Sequence, residues 1–290
     1  MASISAKEIR LHREAFEAIF GAAGKIPSDR VEFARRLGIE PDPWQERLLH
    51  SSADRVLLNC CRQSGKSTMS AIIALQRALY HSGSLVLILA PAERQAKETF
   101  TKVAEMYAHL GHPVPADSYR KLGMHLANGS RIEALPGTEK TVRGFSGVDL
   151  LILDEAARVD DALYFAVRPM LAVSGGALTM LSTPAGKRGV FFEEWTHGAE
   201  WERYEVTVEE CPRIGEKFIE EERKSLPARI FRQEYECSFE DVEDQVFAYE
   251  LVEQAITEEI SPLFEPHGER GGAGDQVEEV APLFGGASRG

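Results

Sequence analysis

Apolar positions along this chain fall into two rhythms. Short, nearly unbroken apolar runs stand at 55–59 (RVLLN), 85–90 (LVLILA), 131–135, 150–153 and 177–182 (ALTMLS). Runs of this length predict strands buried on both faces. Between them lie amphipathic stretches, 67–81 and 92 to about 109, that predict helices. Strands alternating with helices predict an α/β domain: a mostly parallel sheet with helices on both faces. Residues 203–208 predict an edge strand, and 5–20, 29–37, 215–225 and 228–236 predict short helices. Pro41-Asp42-Pro43 is read as a break, and Pro227 separates the last two helices. From about 241 the apolar density falls, and 268–290 is Gly-rich and acidic, which predicts disorder. The expected organisation is a helical segment over 1–38, a core over 39–208, a lid and linker over 209–257, and an acidic tail over 258–290.

Composition narrows this picture. With 290 residues, 43% of them apolar, the chain can build a sizeable core, which excludes wholesale disorder. No apolar stretch approaches the roughly 18 residues of a membrane span. The opening MASISAKEIRLHREAFEAIF scatters charges among its apolar positions, so it reads as an amphipathic helix and not as a secretory signal. Cys60, Cys61, Cys211 and Cys237 form no C-x-x-C pair, which argues against a zinc or redox motif and fits a reducing compartment. The net charge of −13 is unevenly spread: 237–290 carries 13 acidic and two basic residues. The remaining body is almost neutral. Local basic patches on such a body can grip nucleic acid, but tight non-specific DNA binding by one copy is not expected.

The segment 60–68, CCRQSGKST, follows the first strand and opens a helix. It approaches the template G-x-x-x-x-G-K-[ST], in which backbone amides at a helix N-terminus cradle phosphates. Lys66 would neutralise the β- and γ-phosphates and the Ser67 hydroxyl would ligate Mg²⁺. Cys60 stands where the template has its first glycine. A bare Gly-Lys-Ser is common by chance, but strand, loop and helix supply the context the motif needs. A second element is LLILDE at 150–155, an apolar strand ending in two carboxylates. Asp154 is suited to holding Mg²⁺ and Glu155 to polarising an attacking water. The alternative is a carboxylate pair favoured by a helix dipole.

In this order the motifs resemble the ATPase domain of the phage terminase large subunit, the DNA-packaging motor of tailed phages. The resemblance covers about residues 40–255. Pro43-Trp44-Gln45 resembles the adenine-recognition motif, and Arg62 through Ser67 the variant phosphate loop that often lacks the first glycine. Ala90-Pro91 with Gln95-Ala96, Leu135-Pro136, Arg143-Gly144 and Ser182-Thr183-Pro184 follow in family order. The resemblance implies a P-loop NTPase with a small helical lid, using ATP and Mg²⁺. It implies adenine recognition by Gln45, a γ-phosphate contact by Arg62, and a cradle of Gln63, Ser64, Gly65, Lys66, Ser67 and Thr68. It further implies Ser67 and Asp154 at the metal, Glu155 as catalytic carboxylate, Arg143 as an arginine finger, and Ser182, Thr183 and Pro184 as coupling motif. Each has a plainer reading: Gln45 and Arg143 as surface residues, Trp44 as core, and 182–184 as a strand-ending turn.

The implied function is ATP-driven translocation of double-stranded viral DNA into a procapsid. Implied partners are that DNA, the portal protein, the small terminase subunit, and further copies in a homo-oligomeric ring, a pentamer by resemblance. The implied setting is the host cytoplasm, transiently docked on the procapsid, with no membrane. The RNase H-like nuclease domain that follows in full-length relatives is not expected here, so a separate nuclease subunit, a split gene or a truncation is implied. Gly274-Asp275 is only a faint echo of a nuclease aspartate. The alternative reading is a helicase-like or other P-loop ATPase acting on nucleic acid outside packaging.

Overall fold

The computed structural model describes residues 26–138, 142 and 144–241. By packing, the chain divides into Met1–Val246 and Phe247–Gly290, and every described residue belongs to the first unit. The helix expected over 5–20, the tail from 258 and the Gly274-Asp275 pair lie outside the described residues.

Helix α1 (Arg30–Arg36) starts at Asp29, whose carboxylate accepts the Val31 and Glu32 amides at 3.0 and 2.9 Å. These are orphan donors of a first helical turn. Pro43 does not break the chain as expected. It is the first residue of α2 (Pro43–His50), a position where its missing N–H costs no helical bond. Then come β1 (Arg55–Cys60), α3 (Lys66–Tyr80), β2 (Leu85–Ala90) and α4 (Glu93–His109), each within one or two residues of expectation. A hairpin of β3 (Ala116–Arg120) and β4 (Gly123–Leu126) was not expected. The chain continues through β5 (Arg131–Pro136), β6 (Leu150–Asp154), α5 (Asp161–Val167), β7 (Ala177–Ser182), α6 (Gly189–Thr196) and β8 (Glu202–Val206).

The eight strands form one sheet in the order β3-β4-β5-β2-β6-β7-β1-β8. From β5 to β8 all neighbours are parallel, and the β3–β4 hairpin adds antiparallel to β5. Side chains alternate between the two faces. Val56, Leu58, Val86, Ile88 and Ile152 pack under α1 to α4, with Phe33, Ile72, Phe100 and Val103. Leu57, Leu87, Leu89, Leu151 and Leu153 pack on the other face with Leu163, Tyr164 and Phe191 from α5 and α6. The mixed α/β architecture with both faces covered follows directly from the unbroken apolar runs.

Two further helices, α7 (Glu216–Ser225) and α8 (Ala228–Tyr235), follow β8. Helix α7 buries no residue, whereas α8 inserts Phe231 and Tyr235 into the core. The two rings stack at 5.0 Å, and the Arg223 guanidinium of α7 lies 4.2 Å over the Phe231 ring. Among the described residues no helix is long and apolar enough to cross a membrane.

Candidate functional site

In a parallel sheet every strand delivers its last residues to the same edge. Here β1, β7 and β6 are neighbours, so the segments that follow them converge. Beyond β1 the chain passes through 61–65 and enters α3 at Lys66. Gln63 (φ 61°) and Gly65 (φ 93°) take left-handed backbone conformations, the geometry that turns successive amides toward one point. Gly65 has no room for more: a Cβ there would sit 2.9 Å from Gln45 Nε2 and 3.1 Å from Arg213 Nη2. The Cys60 departure from the template has a simple cause. Cys60 is the last residue of a regular strand, fully buried and without positive φ, so the position makes no demand for glycine. Burial pushes its thiol up to about 12.

Lys66 is buried, and its Nζ lies 3.3 Å from Glu155 Oε1. This contact joins the loop after β1 to the carboxylates after β6. Asp154 is 3% exposed; its Oδ2 accepts the Thr99 hydroxyl at 2.7 Å and its Oδ1 accepts the Glu155 amide at 3.0 Å. Burial raises the Asp154 carboxyl above the ordinary carboxylate range; the Thr99 hydrogen bond opposes this and the Glu155 charge adds to it. Glu155 is itself left-handed (φ 53°, ψ 42°), a costly conformation for a residue with a Cβ. Two cations hold it there, Lys66 and the Arg158 guanidinium, whose Nη1 is 3.0 Å from Oε2.

Arg158 extends the network. The same Nη1 donates to Thr183 Oγ1 at 3.0 Å, and Nη2 lies 3.9 Å from Glu234 of α8. Thr183, with Ser182 and Pro184, is buried at the end of β7. Arg62 is largely exposed, with Nη1 3.7 Å from Glu234 Oε2, and its amide donates to the Glu234 carbonyl at 2.8 Å. Gln63 is exposed, Ser64 is buried, and Ser67 and Thr68 are half-buried at the start of α3. No sequence motif singles out Thr99, Arg158 or Glu234.

Behind the loop, Gln45 is fully buried and its amide is occupied at both ends. Its Oε1 accepts the Asp42 amide at 2.9 Å and its Nε2 donates to the Ser64 carbonyl at 3.3 Å. Arg213 joins the same brace, donating to the Ser64 carbonyl at 2.8 Å and pairing with Asp42 Oδ2 at 2.7 Å. Trp44 is fully buried in the core, its plainer reading. Gln95 caps α4, its Oε1 accepting the Ala92 amide at 3.2 Å. Arg143, expected as a finger, lies outside the described residues, and its neighbour Gly144 takes φ 105°. Cys61 in the loop and Cys211 after β8 are buried free thiols with sulfurs 3.6 Å apart.

The profile described as "Terminase large subunit, T4likevirus-type, N-terminal" matches residues 57–254. The terminase large subunit of Escherichia phage T5 is 27% identical over 223 residues, covering 72% of this chain and 50% of that protein. The chain thus spans about half the length of the curated relatives it matches. The large terminase ATPase domain of Thermus phage P74-26 superposes with a TM-score of 0.63 at 25% identity, covering 72% of this chain and 97% of that one. The HK97 bacteriophage large terminase superposes with a TM-score of 0.58 at 20% identity over 69% of this chain and 50% of that one. A profile match across more than half the chain, over the segments that include Lys66, Asp154 and Thr183, means that the chain belongs to the T4likevirus-type terminase large subunit family.

Proposed function

We propose that this chain is the ATP-hydrolysing motor module of a DNA-packaging machine, a P-loop NTPase that drives double-stranded viral DNA into a procapsid. The observation that carries the reading is the 3.3 Å contact of Lys66 with Glu155, because it unites the two halves of a phosphoryl-transfer site. The inward-turned amides of 63–65, the N-terminus of α3 and Lys66 hold the phosphates, with Thr68 supporting the first helical turn. Arg62 stands at the mouth of the loop, where its guanidinium can swing from Glu234 to the γ-phosphate.

The donor set fits Mg²⁺. Ser67 offers a hydroxyl and Asp154 a carboxylate, both hard oxygen donors, and Mg²⁺ completes its shell with phosphate and water oxygens. Among the described residues no group of three His, Cys, Asp or Glu could cage an ion unaided, so the protein supplies only part of the shell. When bound, the ion neutralises charge developing on the phosphates. Thr99 fixes the Asp154 carboxylate from behind. Glu155 polarises the attacking water once Lys66 turns to the phosphates and leaves it free to accept a proton.

Thr183 reads this state through Arg158, and Ser182-Thr183-Pro184 passes it on as movement. Helices α7 and α8 act as the lid. Arg143 reaches the ATP of a neighbouring subunit in a homo-oligomeric ring docked on the portal, where the small terminase subunit delivers the DNA. The test is ATP turnover with and without DNA and procapsids. Lys66→Ala should lose nucleotide binding. Glu155→Gln should bind nucleotide and fall roughly 10²–10⁴-fold in turnover. Parent-level turnover by Glu155→Gln would remove the catalytic assignment.

A further inference from the structure

Cys60, Cys61, Cys211 and Cys237 are buried free thiols, and phosphoryl transfer uses none of them. Two are committed to the scaffold. The Cys237 thiol donates to the Val206 carbonyl at 3.1 Å, and Cys60 is fixed within β1. Cys61 and Cys211 differ, because their sulfurs touch at 3.6 Å across 150 residues of sequence. Neither lies in a strand or a helix. Cys61 is the first residue past β1, and Cys211 follows a single helical turn, Val208–Glu210. A disulfide needs about 2.05 Å between its sulfurs, so closure asks for about 1.5 Å of movement, shared by two irregular segments. These segments are already docked on each other. The Cys61 amide donates to the Val206 carbonyl at 2.8 Å, and Arg213, two residues past Cys211, donates to the Ser64 carbonyl at 2.8 Å.

We propose that Cys61 and Cys211 are a peroxide-sensitive dithiol whose disulfide clamps the phosphate loop to the segment leading into α7. The effect of the clamp on nucleotide rests on the reading of 61–68 as the phosphate site; the disulfide itself does not. With Cys61 donating its S–H, the hydrogen bond favours the thiolate at Cys211 and keeps the Cys61 thiol protonated. Cys211 is therefore the attacking sulfur. It breaks the O–O bond of hydrogen peroxide, forms an S–O bond and becomes a sulfenic acid. The hydroxide released takes up the Cys211 proton and leaves as water. The Cys61 sulfur then bonds to the Cys211 sulfur as the S–O bond breaks, and the second hydroxide carries off the Cys61 proton as water. The two thiols lose two electrons and the peroxide gains them. In a reducing compartment the dithiol is the resting form. Cys61 precedes Arg62 and Gln63, and Cys211 precedes Arg213 and Ile214; these four residues line one cavity beside the loop. Fixing the two sulfurs fixes the width of that cavity at its base, so nucleotide held there leaves slowly and turnover stalls.

The test loads the full chain with Mg²⁺ and N-methylanthraniloyl-ADP, adds hydrogen peroxide, and quenches a sample in denaturant with N-ethylmaleimide for peptide mapping. Trypsin releases Cys60 and Cys61 together in 56–62 and Cys211 in 204–213, so the Cys60→Ala variant assigns the partner. Peptide 204–213 should be joined to 56–62 in the parent and in Cys60→Ala. The join should be absent from Cys211→Ser, and dithiothreitol should undo it. In the rest of the sample an ADP chase reads nucleotide release. Release should slow several-fold in the oxidised parent, recover with dithiothreitol, and ignore peroxide in Cys211→Ser. Three results would overturn the proposal: no disulfide between the two peptides, a disulfide lost in Cys60→Ala, or a Cys61–Cys211 disulfide that leaves nucleotide release unchanged. Lys66→Ala separates the two readings. If it holds the nucleotide like the parent, the phosphate site itself has been misassigned, while the peptide map still reports on the dithiol.

Discussion

Asp154 carries the sharpest electrostatic tension in the site. Its carboxyl is raised by burial, so folding at neutral pH carries a cost, either a charge taken out of water or a proton taken up, that the unfolded chain is spared. A raised acid favours the fold below the ordinary carboxylate pKa and loses that advantage as pH climbs through the folded value. Asp154→Asn removes the charge and should raise the melting temperature of the ligand-free chain at pH 7. The difference should vanish as pH falls below the ordinary carboxylate value, where both side chains are neutral. Thermal melts from pH 7 down to about 3 check this, and the same variant should lose Mg²⁺-dependent stabilisation by nucleotide. The residues in local motifs, Lys66, Ser67, Asp154 and Glu155, were legible because their chemistry is written in consecutive letters. Thr99, Arg158, Arg213 and Glu234 were not. Each is an ordinary residue in its own segment, and only the sheet order brings it to a carboxylate, a hydroxyl or a loop carbonyl.

Elements were legible wherever burial was complete. LVLILA and LLILD are buried at every position and were read within a residue. The β3 segment, ADSYR, is mostly exposed, so it shows no apolar alternation and its hairpin passed unseen. Pro43 reads as a break in sequence because proline both breaks helices and starts them, and only the position of the first turn decides which. The loop-to-helix junction shows how tightly an element boundary can be set. Gly65 combines φ 93° with a closed Cβ site against Gln45 and Arg213. Gly65→Ala should therefore cost about 1–3 kcal/mol from backbone strain alone. Urea unfolding should show a lower midpoint with unchanged slope, and tripolyphosphate affinity should fall with it.

For the molecule as a whole, charge is segregated along the chain. Residues 258–290 hold seven acidic and two basic residues. If the motor grips duplex DNA through a few basic patches, an attached acidic segment competes for them and is screened within about 8–10 Å at physiological salt. Deleting 258–290 should strengthen DNA affinity at about 50 mM salt, and the gain should shrink toward about 200 mM. Identical salt titrations for the full and shortened chains would show that the tail takes no part in DNA binding.

The parallel run of β6, β7 and β1 has a practical side. The strands end at the Asp154-Glu155 pair, at Ser182-Thr183-Pro184 and at the 61–65 loop, so each also begins at the far edge, about 20 Å away at roughly 3.3 Å per residue. Val173, in the turn that leads into β7, sits on that far edge and is 88% exposed. The four native thiols, at Cys60, Cys61, Cys211 and Cys237, are all 2% exposed or less. Val173→Cys should therefore be the one position that a maleimide dye modifies in the folded protein, with no native cysteine replaced. Peptide mapping of the labelled chain checks this. An optical handle at that site leaves the opposite edge untouched, so a single molecule can be watched while nucleotide is added.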